Sequence, residues 1–424
     1  MDHCNIANLS LHDQWRQLVL KPLSKLDGNS CSSSYVLVID ALDECDNDKN
    51  IRIILQLLAK ARSLKRVRLR VFLTSRPEVP IRLGFHQLPD NERRDIVLHN
   101  ISPSIVDHDI FIFLEHNFEL MREENYQDTS WPGAENIQRL VRSASGLFIW
   151  AATACRFIYE GRGFADNRLS IILKNGTVDE SITDGSSTDD DAGEDPVITP
   201  EEHLNTLYIA VLRNSAQNFK KQEKKNWYKL LRETIGTIII LYSPLSIHSL
   251  AGVLHVSGEG VIRILNKLRS IFDIPENQDQ PIRLHHPSFR DFLLDQKRCG
   301  DLNFWVEKRQ AHQTLAENCI RLLSTSLKQD ICGLDATGVL IAEIESSRVE
   351  QCLPPEVQYA CLYWVEHVQE SGAHLHDNNQ VHRFLQKHFL HWLEALCWMR
   401  RMSEGILAIR TLESISLVSL LPAR

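Results

Sequence analysis

The stretch "YVLVIDALDECD" (Tyr35–Asp46) constrains the fold of this chain more than any other segment. Tyr35 to Ile39 reads as a buried strand, and it delivers Asp40, then Asp43 and Glu44, into one short loop. "KNIRIILQLLAKARSL" (Lys49–Leu64) then sets Ile51, Ile54, Leu55 and Leu58 on one helical face. "RLRVFLT" (Arg68–Thr74) is rich in apolar and β-branched residues and stops at "SRPE". Strand, helix, strand in that order predicts a right-handed crossover unit of a parallel sheet. Upstream, Leu11 to Leu26 has helical spacing with Pro22 marking a break or kink. Downstream, "RDIVLHN" (Arg94–Asn100) reads as a further short strand.

From Ser104 onward the pattern is helical: "SIVDHDIFIFLEHNF", "GAENIQRLVRSASG" and "LFIWAATACRFIYEG". Gly176 to Pro200 is acidic, rich in Ser, Thr and Gly, and without Lys or Arg. Such a segment buries too little apolar surface to offset its ordering entropy, so a disordered linker is expected. Helical pattern resumes at "TPEEHLNTLYIAVL", where Thr199 and Glu202 fit a capping box. Pro244 to Asp295 predicts two short amphipathic helices, a pair of short strands around a polar turn, and a final helix in "PSFRDFLLD". That is the grammar of a winged-helix domain. Phe304 to Arg424 is helical again. The expected fold class is α/β then mostly α.

Composition narrows the function classes. A net charge of -8 argues against general binding to nucleic acid or anionic membranes. The ten cysteines are scattered without a C-x-x-C pair, which fits reduced thiols better than zinc or a disulfide framework. The N-terminus lacks the basic head and apolar run of a signal peptide, and no apolar stretch is long enough to span a bilayer. A soluble cytoplasmic protein is expected.

The loop after the first strand carries the chemistry. A carboxylate at the C-terminal end of a parallel strand lies where open α/β sheets bind ligands, and Asp40 there can hold Mg²⁺ through water. Asp43 or Glu44 can orient or deprotonate an attacking water. The plainer alternative is an acidic loop that caps the following helix, with Asp46 or Asp48 as N-cap. Thr74, Ser75 and Arg76 end the next strand, and the Arg76 fork can sense a terminal phosphate or bridge to Asp43 and Glu44.

"YVLVIDALDECD" followed by "VFLTSRPE" resembles the Walker B and sensor 1 segments of NACHT-type nucleotide switches, in particular the fungal set within the STAND class of signalling NTPases. "ASGLFIWAATACRFI", "EEHLNTLYIAVL" and the segment ending "LHHPSFRDFLLD" agree in order with later parts of that family. The resemblance implies a partial P-loop NTPase parallel sheet (1–103), a helical lid (104–175), the acidic linker (176–200), a winged-helix region (201–300) and a C-terminal helical region (301–424). It implies Asp40 as the Mg²⁺-supporting acid, Asp43 and Glu44 as acids positioning the hydrolytic water, and Arg76 near the terminal phosphate. His286, with His285 as the neighbouring alternative, would touch a bound diphosphate. Packing of either histidine under the last helix is the competing reading.

The chain contains no G-x-x-x-x-G-K-[ST]. The amide cradle, the phosphate-binding lysine and the Mg²⁺-ligating hydroxyl therefore have no candidates here. In the resembling family these precede the "QWRQLVLKPL" helix, so the resemblance implies a chain that starts inside the domain. Mg²⁺ and ATP or GTP are expected for an intact family member and no cofactor or turnover for this chain. The expected partners are other protein chains, not nucleic acid or membrane. A non-catalytic helical scaffold is the alternative. DNA binding through Arg263, Lys267 and Arg269 of "GVIRILNKLRS" is the least supported reading.

Overall fold

The computed structural model describes residues 10–25, 34–45, 48–60, 68–86, 94–125, 130–176, 198–217, 219–334 and 346–419. Two compact units are present, Met1–Asn100 and Ile101–Arg424. The first is α/β, and the second is almost entirely helical.

The first unit opens with α1 (Leu11–Trp15), a widened turn (Arg16–Leu20) and α2 (Lys21–Ser24). Ser10 caps α1, its hydroxyl accepting from the Asp13 amide. Pro22 lacks an N–H and crowds the carbonyl one turn earlier, which accounts for the wide turn just before it. Strands β1 (Ser34–Ile39) and β2 (Arg68–Leu73) pair in parallel, with Ser34 opposite Arg68 and Ile39 opposite Leu73. Between them runs α3 (Asp48–Lys60), and α4 (Val79–His86) follows β2. This is the expected strand–helix–strand unit.

One face of the β1–β2 pair is covered. Leu42, Ile51, Leu55 and Ile81 form a small core, with Ile39, Ile54 and Leu73 packed against it. Ile51, Leu55 and Leu58 are buried on the predicted helical face, and Ile54 is partly so. Gly84 lets α4 lie close on α3, because a Cβ there would run into Leu55 Cδ1. The other face carries Val36, Val38, Arg70 and Phe72, all exposed; Val36 and Val38 are 63% and 62% accessible. The strand expected at Arg94 to Asn100 does not form. Arg94–Val97 is irregular and Leu98–Asn100 is a single 3₁₀ turn. A strand needs a neighbour for its amides and carbonyls, and among the described residues β1 and β2 pair only with each other.

The second unit begins with α5 (Pro103–Asn125), α6 (Ala134–Ala144), α7 (Phe148–Tyr159) and α8 (Ala165–Gly176). Ile110, Leu114, Phe118 and Met121 of α5 line one stripe at helical spacing, while α7 is buried nearly all round. The acidic segment expected as a linker lies outside the described residues over 177–197. Helix α9 (Pro200–Asn214) starts at the capping box: Thr199 Oγ1 accepts from the Glu202 amide at 3.3 Å, and Glu202 Oε2 accepts from the Thr199 amide at 2.7 Å. Such a cap stabilises a helix by about 1 kcal/mol.

After α10 (Lys221–Ile240) come α11 (Ile247–Leu254) and α12 (Gly258–Leu265), each started by a serine cap, Ser246 and Ser257. Strands β3 (Phe272–Asp273) and β4 (Arg283–Leu284) pair antiparallel, and α13 (Ser288–Leu294) and α14 (Gln296–Cys299) follow. The remaining helices are α15 (Lys308–Ser326), α16 (Ser346–Cys352), α17 (Pro355–Ser371), α18 (Gln380–Trp398) and α19 (Met402–Ser419). Trp364 and Trp392, both fully buried, meet edge-on with centroids 5.5 Å apart, and Trp392 Nε1 donates to the Cys361 carbonyl at 2.9 Å. No described helix is long and apolar enough to cross a membrane.

Candidate functional site

Two parallel strand ends make the first cluster. The ladder continues one residue past both strands: the Thr74 amide donates to the Ile39 carbonyl and the Leu42 amide to the Thr74 carbonyl, each at 3.0 Å. Between those bonds Ala41 takes a left-handed conformation (φ 51°), which swings the chain into a 3₁₀ turn at Leu42–Glu44. For a residue with a Cβ that costs about 1 kcal/mol, so the surroundings must hold it there. They do so through Thr74, whose hydroxyl donates to Asp40 Oδ1 and accepts from the Ala41 amide at 2.8 Å.

The acids of the turn divide into two kinds. Asp43 is occupied: its Oδ1 accepts from the Arg76 amide at 3.0 Å and from the Ser75 hydroxyl at 3.1 Å, and its Oδ2 faces Arg76 Nε at 3.5 Å. Its side chain is only 8% exposed. Asp43 is thus the clasp that joins the turn after β1 to the segment after β2. Asp40 and Glu44 are exposed, Asp40 using one oxygen toward Thr74. Asp40, Asp43, Thr74, Ser75 and Arg76 are brought together as the sequence implies, with Glu44 at the end of the same turn. Asp46, one of the two alternative N-caps, lies outside the described residues.

One hard oxygen donor at Asp40 suits a hydrated Mg²⁺ that takes its other ligands from phosphate and water. The described residues contain no group of three or more His, Cys, Asp or Glu able to hold a metal by themselves. The side chains fit a supporting role toward a metal–phosphate complex, not a self-sufficient metal cage.

His286 lies in the second unit, just before α13. Its Nδ1 sits 2.7 Å from Ser288 Oγ and accepts from the Ser288 amide at 3.1 Å. Ser288 Oγ is in turn 2.8 Å from the Tyr208 hydroxyl of α9, inside the core. This chain fixes the Nδ1 edge of the ring inward. Burial raises the Tyr208 phenol to about 12, so the phenol stays protonated and remains able to donate. His285 is turned elsewhere: its Nε2 lies 3.0 Å from the Arg269 carbonyl, and desolvation, with Arg156 nearby, lowers its pKa.

Of the basic residues weighed for DNA, Lys267 is engaged internally, while Arg263 and Arg269 are exposed and have partners within the chain. Lys267 Nζ donates to the Ser215 carbonyl at 2.8 Å and sits over the Phe219 and Trp227 rings at 4.7 and 5.1 Å. Arg263 stacks toward Trp227, and Arg269 binds Asn266.

Sequence reasoning missed a buried polar chain between α15 and α17. His312 Nδ1 lies 2.8 Å from His367 Nδ1, and His367 Nε2 lies 2.8 Å from the Tyr359 hydroxyl. Desolvation lowers the two histidines to about 4 and about 3, so both are neutral at physiological pH. Nothing in the local sequence marks them, because the pair forms between helices 55 residues apart.

The family profile described as Nephrocystin 3, N-terminal, matches residues 1–76, a span that holds β1, the acidic turn, β2 and Arg76. The chain is also similar to the vegetative incompatibility protein HET-E-1 of Podospora anserina, with 24% identity over 405 residues. The similar region covers 89% of this chain and 26% of that relative, so the chain spans about a quarter of the length of the curated protein it matches.

Proposed function

We propose that this chain is the regulatory part of a NACHT-type signalling NTPase of the STAND class, a nucleotide-switch and protein-interaction module. The observation that carries the reading is the stitching of the two parallel strand ends. Asp40 lies beside Thr74, Asp43 is clasped to Arg76, and Glu44 stands exposed on the same turn. Similarity to HET-E-1 along nearly the whole chain supports it.

In this reading Asp40 supports Mg²⁺ through water, and Mg²⁺ when bound neutralises charge on the nucleotide phosphates. Glu44 is the acid available to orient a water molecule. Asp43 is a positioning residue that sets where the Arg76 guanidinium stands. The elements α11, α12, β3, β4 and α13 act as the winged helix. His286, its Nδ1 edge held by Ser288, is the candidate for contact with a diphosphate. Arg263 and Lys267, spent on internal rings and a carbonyl, argue against a DNA-reading surface.

These 424 residues contain no phosphate loop. Charge-assisted hydrogen bonds of the kind it supplies contribute about 1.5–3 kcal/mol each, and about 1.4 kcal/mol changes affinity tenfold. The chain as given is therefore expected to show no ATP–Mg²⁺ binding in the micromolar range by equilibrium titration. A micromolar dissociation constant that Asp40→Asn weakens would overturn that expectation while keeping the switch. A second reading, a non-catalytic scaffold, draws on the saturated Asp43. A stable stoichiometric protein partner unaffected by Asp40→Asn or Glu44→Gln would favour it.

A further inference from the structure

A cleft of about 730 Å³ in the second unit gathers the end of α5, the end of α7, the start of α8 and the turn after α12. Arg162, Arg168 and Arg269 line it together with Glu124, Tyr159, Glu160 and Asn266. Of the two acids, Glu124 is exposed beside Tyr159 and Glu160 is largely buried. Glu160 has a side chain only 15% exposed and lies 3.6 Å from Arg168. Burial raises its carboxyl to about 7 against the pull of Arg168, Arg269 and Arg156, so near neutral pH a good part of its charge is absent.

Arg168 shares an ion pair with Glu160, whereas Arg162 and Arg269 make no ion pair among the described residues. Arg269 gives Nε and Nη2 to Asn266 Oδ1 at 3.1 and 2.8 Å, a neutral acceptor that pins the fork and leaves its charge. Arg168 is braced by the Phe157 carbonyl, at 2.5 Å, and by the Phe157 ring. Arg162 stands exposed on a left-handed residue (φ 45°). Beneath them Arg156 has an Nη1 that is buried and meets no hydrogen-bond partner among the described residues. Asp273 and His285 adjoin it from the β3–β4 side.

We propose that this cleft binds a small phosphate-bearing anion, gripped by Arg162 and Arg269 at its mouth and by Arg168 along its wall. Planar guanidinium forks arriving from separate elements match phosphate oxygens two at a time, which single ammonium charges do not. The volume is ample for a ligand of nucleotide size. Binding would hold the α5–α8 helices to the α12–β3 turn. An incoming anion disfavours the charged form of Glu160, so binding takes up a proton. Its lining shares no residue with Asp40, Asp43, Glu44, Arg76 or His286, which carry the nucleotide reading.

The test is calorimetric titration of the whole chain with inorganic tripolyphosphate, and separately with ADP, both without Mg²⁺. Tripolyphosphate is expected to bind, with net proton uptake near pH 7 that Glu160→Gln removes. Arg162→Ala and Arg269→Ala, both at exposed positions, are each expected to weaken binding about tenfold or more, and Asp40→Asn to leave it unchanged. Tighter binding of ADP would identify a nucleoside phosphate as the source, and preference for tripolyphosphate a bare phosphate chain. No binding at millimolar ligand, or binding that survives both arginine changes, overturns the proposal. So does binding lost in Asp40→Asn.

Discussion

The two units hold polar groups in place by opposite means. In the first, four buried residues, Leu42, Ile51, Leu55 and Ile81, support a cluster whose geometry is carried by hydrogen bonds from Thr74, Ser75 and the Arg76 amide. In the second, the His312–His367 pair sits inside a core that includes three fully buried tryptophans, Trp150, Trp364 and Trp392. Asp43 keeps a charge partner and two hydrogen-bond donors. The two histidines are desolvated until they are neutral. A thin core can still fix a polar turn when donors surround it, whereas a thick core fixes polar groups by excluding water.

The sharpest way to break this contrast is Trp392→Ala, which removes a buried indole and its bond to Cys361. A loss of about 3–5 kcal/mol is expected, read as an earlier denaturation midpoint of the second unit by intrinsic fluorescence. Asp43→Ala should act on the first unit, costing about 1–2 kcal/mol because it removes the acceptor of the Arg76 amide and the Ser75 hydroxyl. Faster hydrogen exchange confined to β1, β2 and the Leu42–Glu44 turn would check it. Unchanged exchange there would show that apolar packing carries the turn after all.

The last effect sharpens the comparison through pH. Both histidines have folded pKa values below the ordinary value near 6.5, so the unfolded chain binds protons first as pH falls. Their contribution is complete above about pH 6.5 and is lost progressively down to about 4 for His312 and about 3 for His367. Between pH 6.5 and 5.5 the second unit should lose about 2 kcal/mol, and His367→Gln should flatten that slope. Lys308 and Glu370, an exposed ion pair at 2.8 Å beside His312, add little of their own.

Local chemistry was legible in the sequence where neighbours in the chain are neighbours in space. The apolar run of β1, the face of α3 and the Thr199–Glu202 box follow from periodicity and capping, which act within a few residues. "RDIVLHN" misled because a β-branched run has strand propensity without guaranteeing a partner strand, and Arg94–Val97 joins no strand ladder among the described residues. The bridge from Arg76 to Asp43 was legible as one of two roles for the fork, but not the bond from the Arg76 amide, 33 residues later. Nor was the inward turn of Lys267, which depends on Phe219 and Trp227 arriving beneath it.

The β1–β2 ladder has a consequence for anyone handling this protein. Among the described residues the sheet has two strands and no interior one, so the outer row of amides and carbonyls on each has no strand beside it there, and Val36, Val38 and Phe72 stand exposed next to them. Concentration is then the hazard, more than heat. Copies of the chain meeting along those rows can extend one another's sheet, and the first sign of trouble would be turbidity in a sample whose helices are still intact.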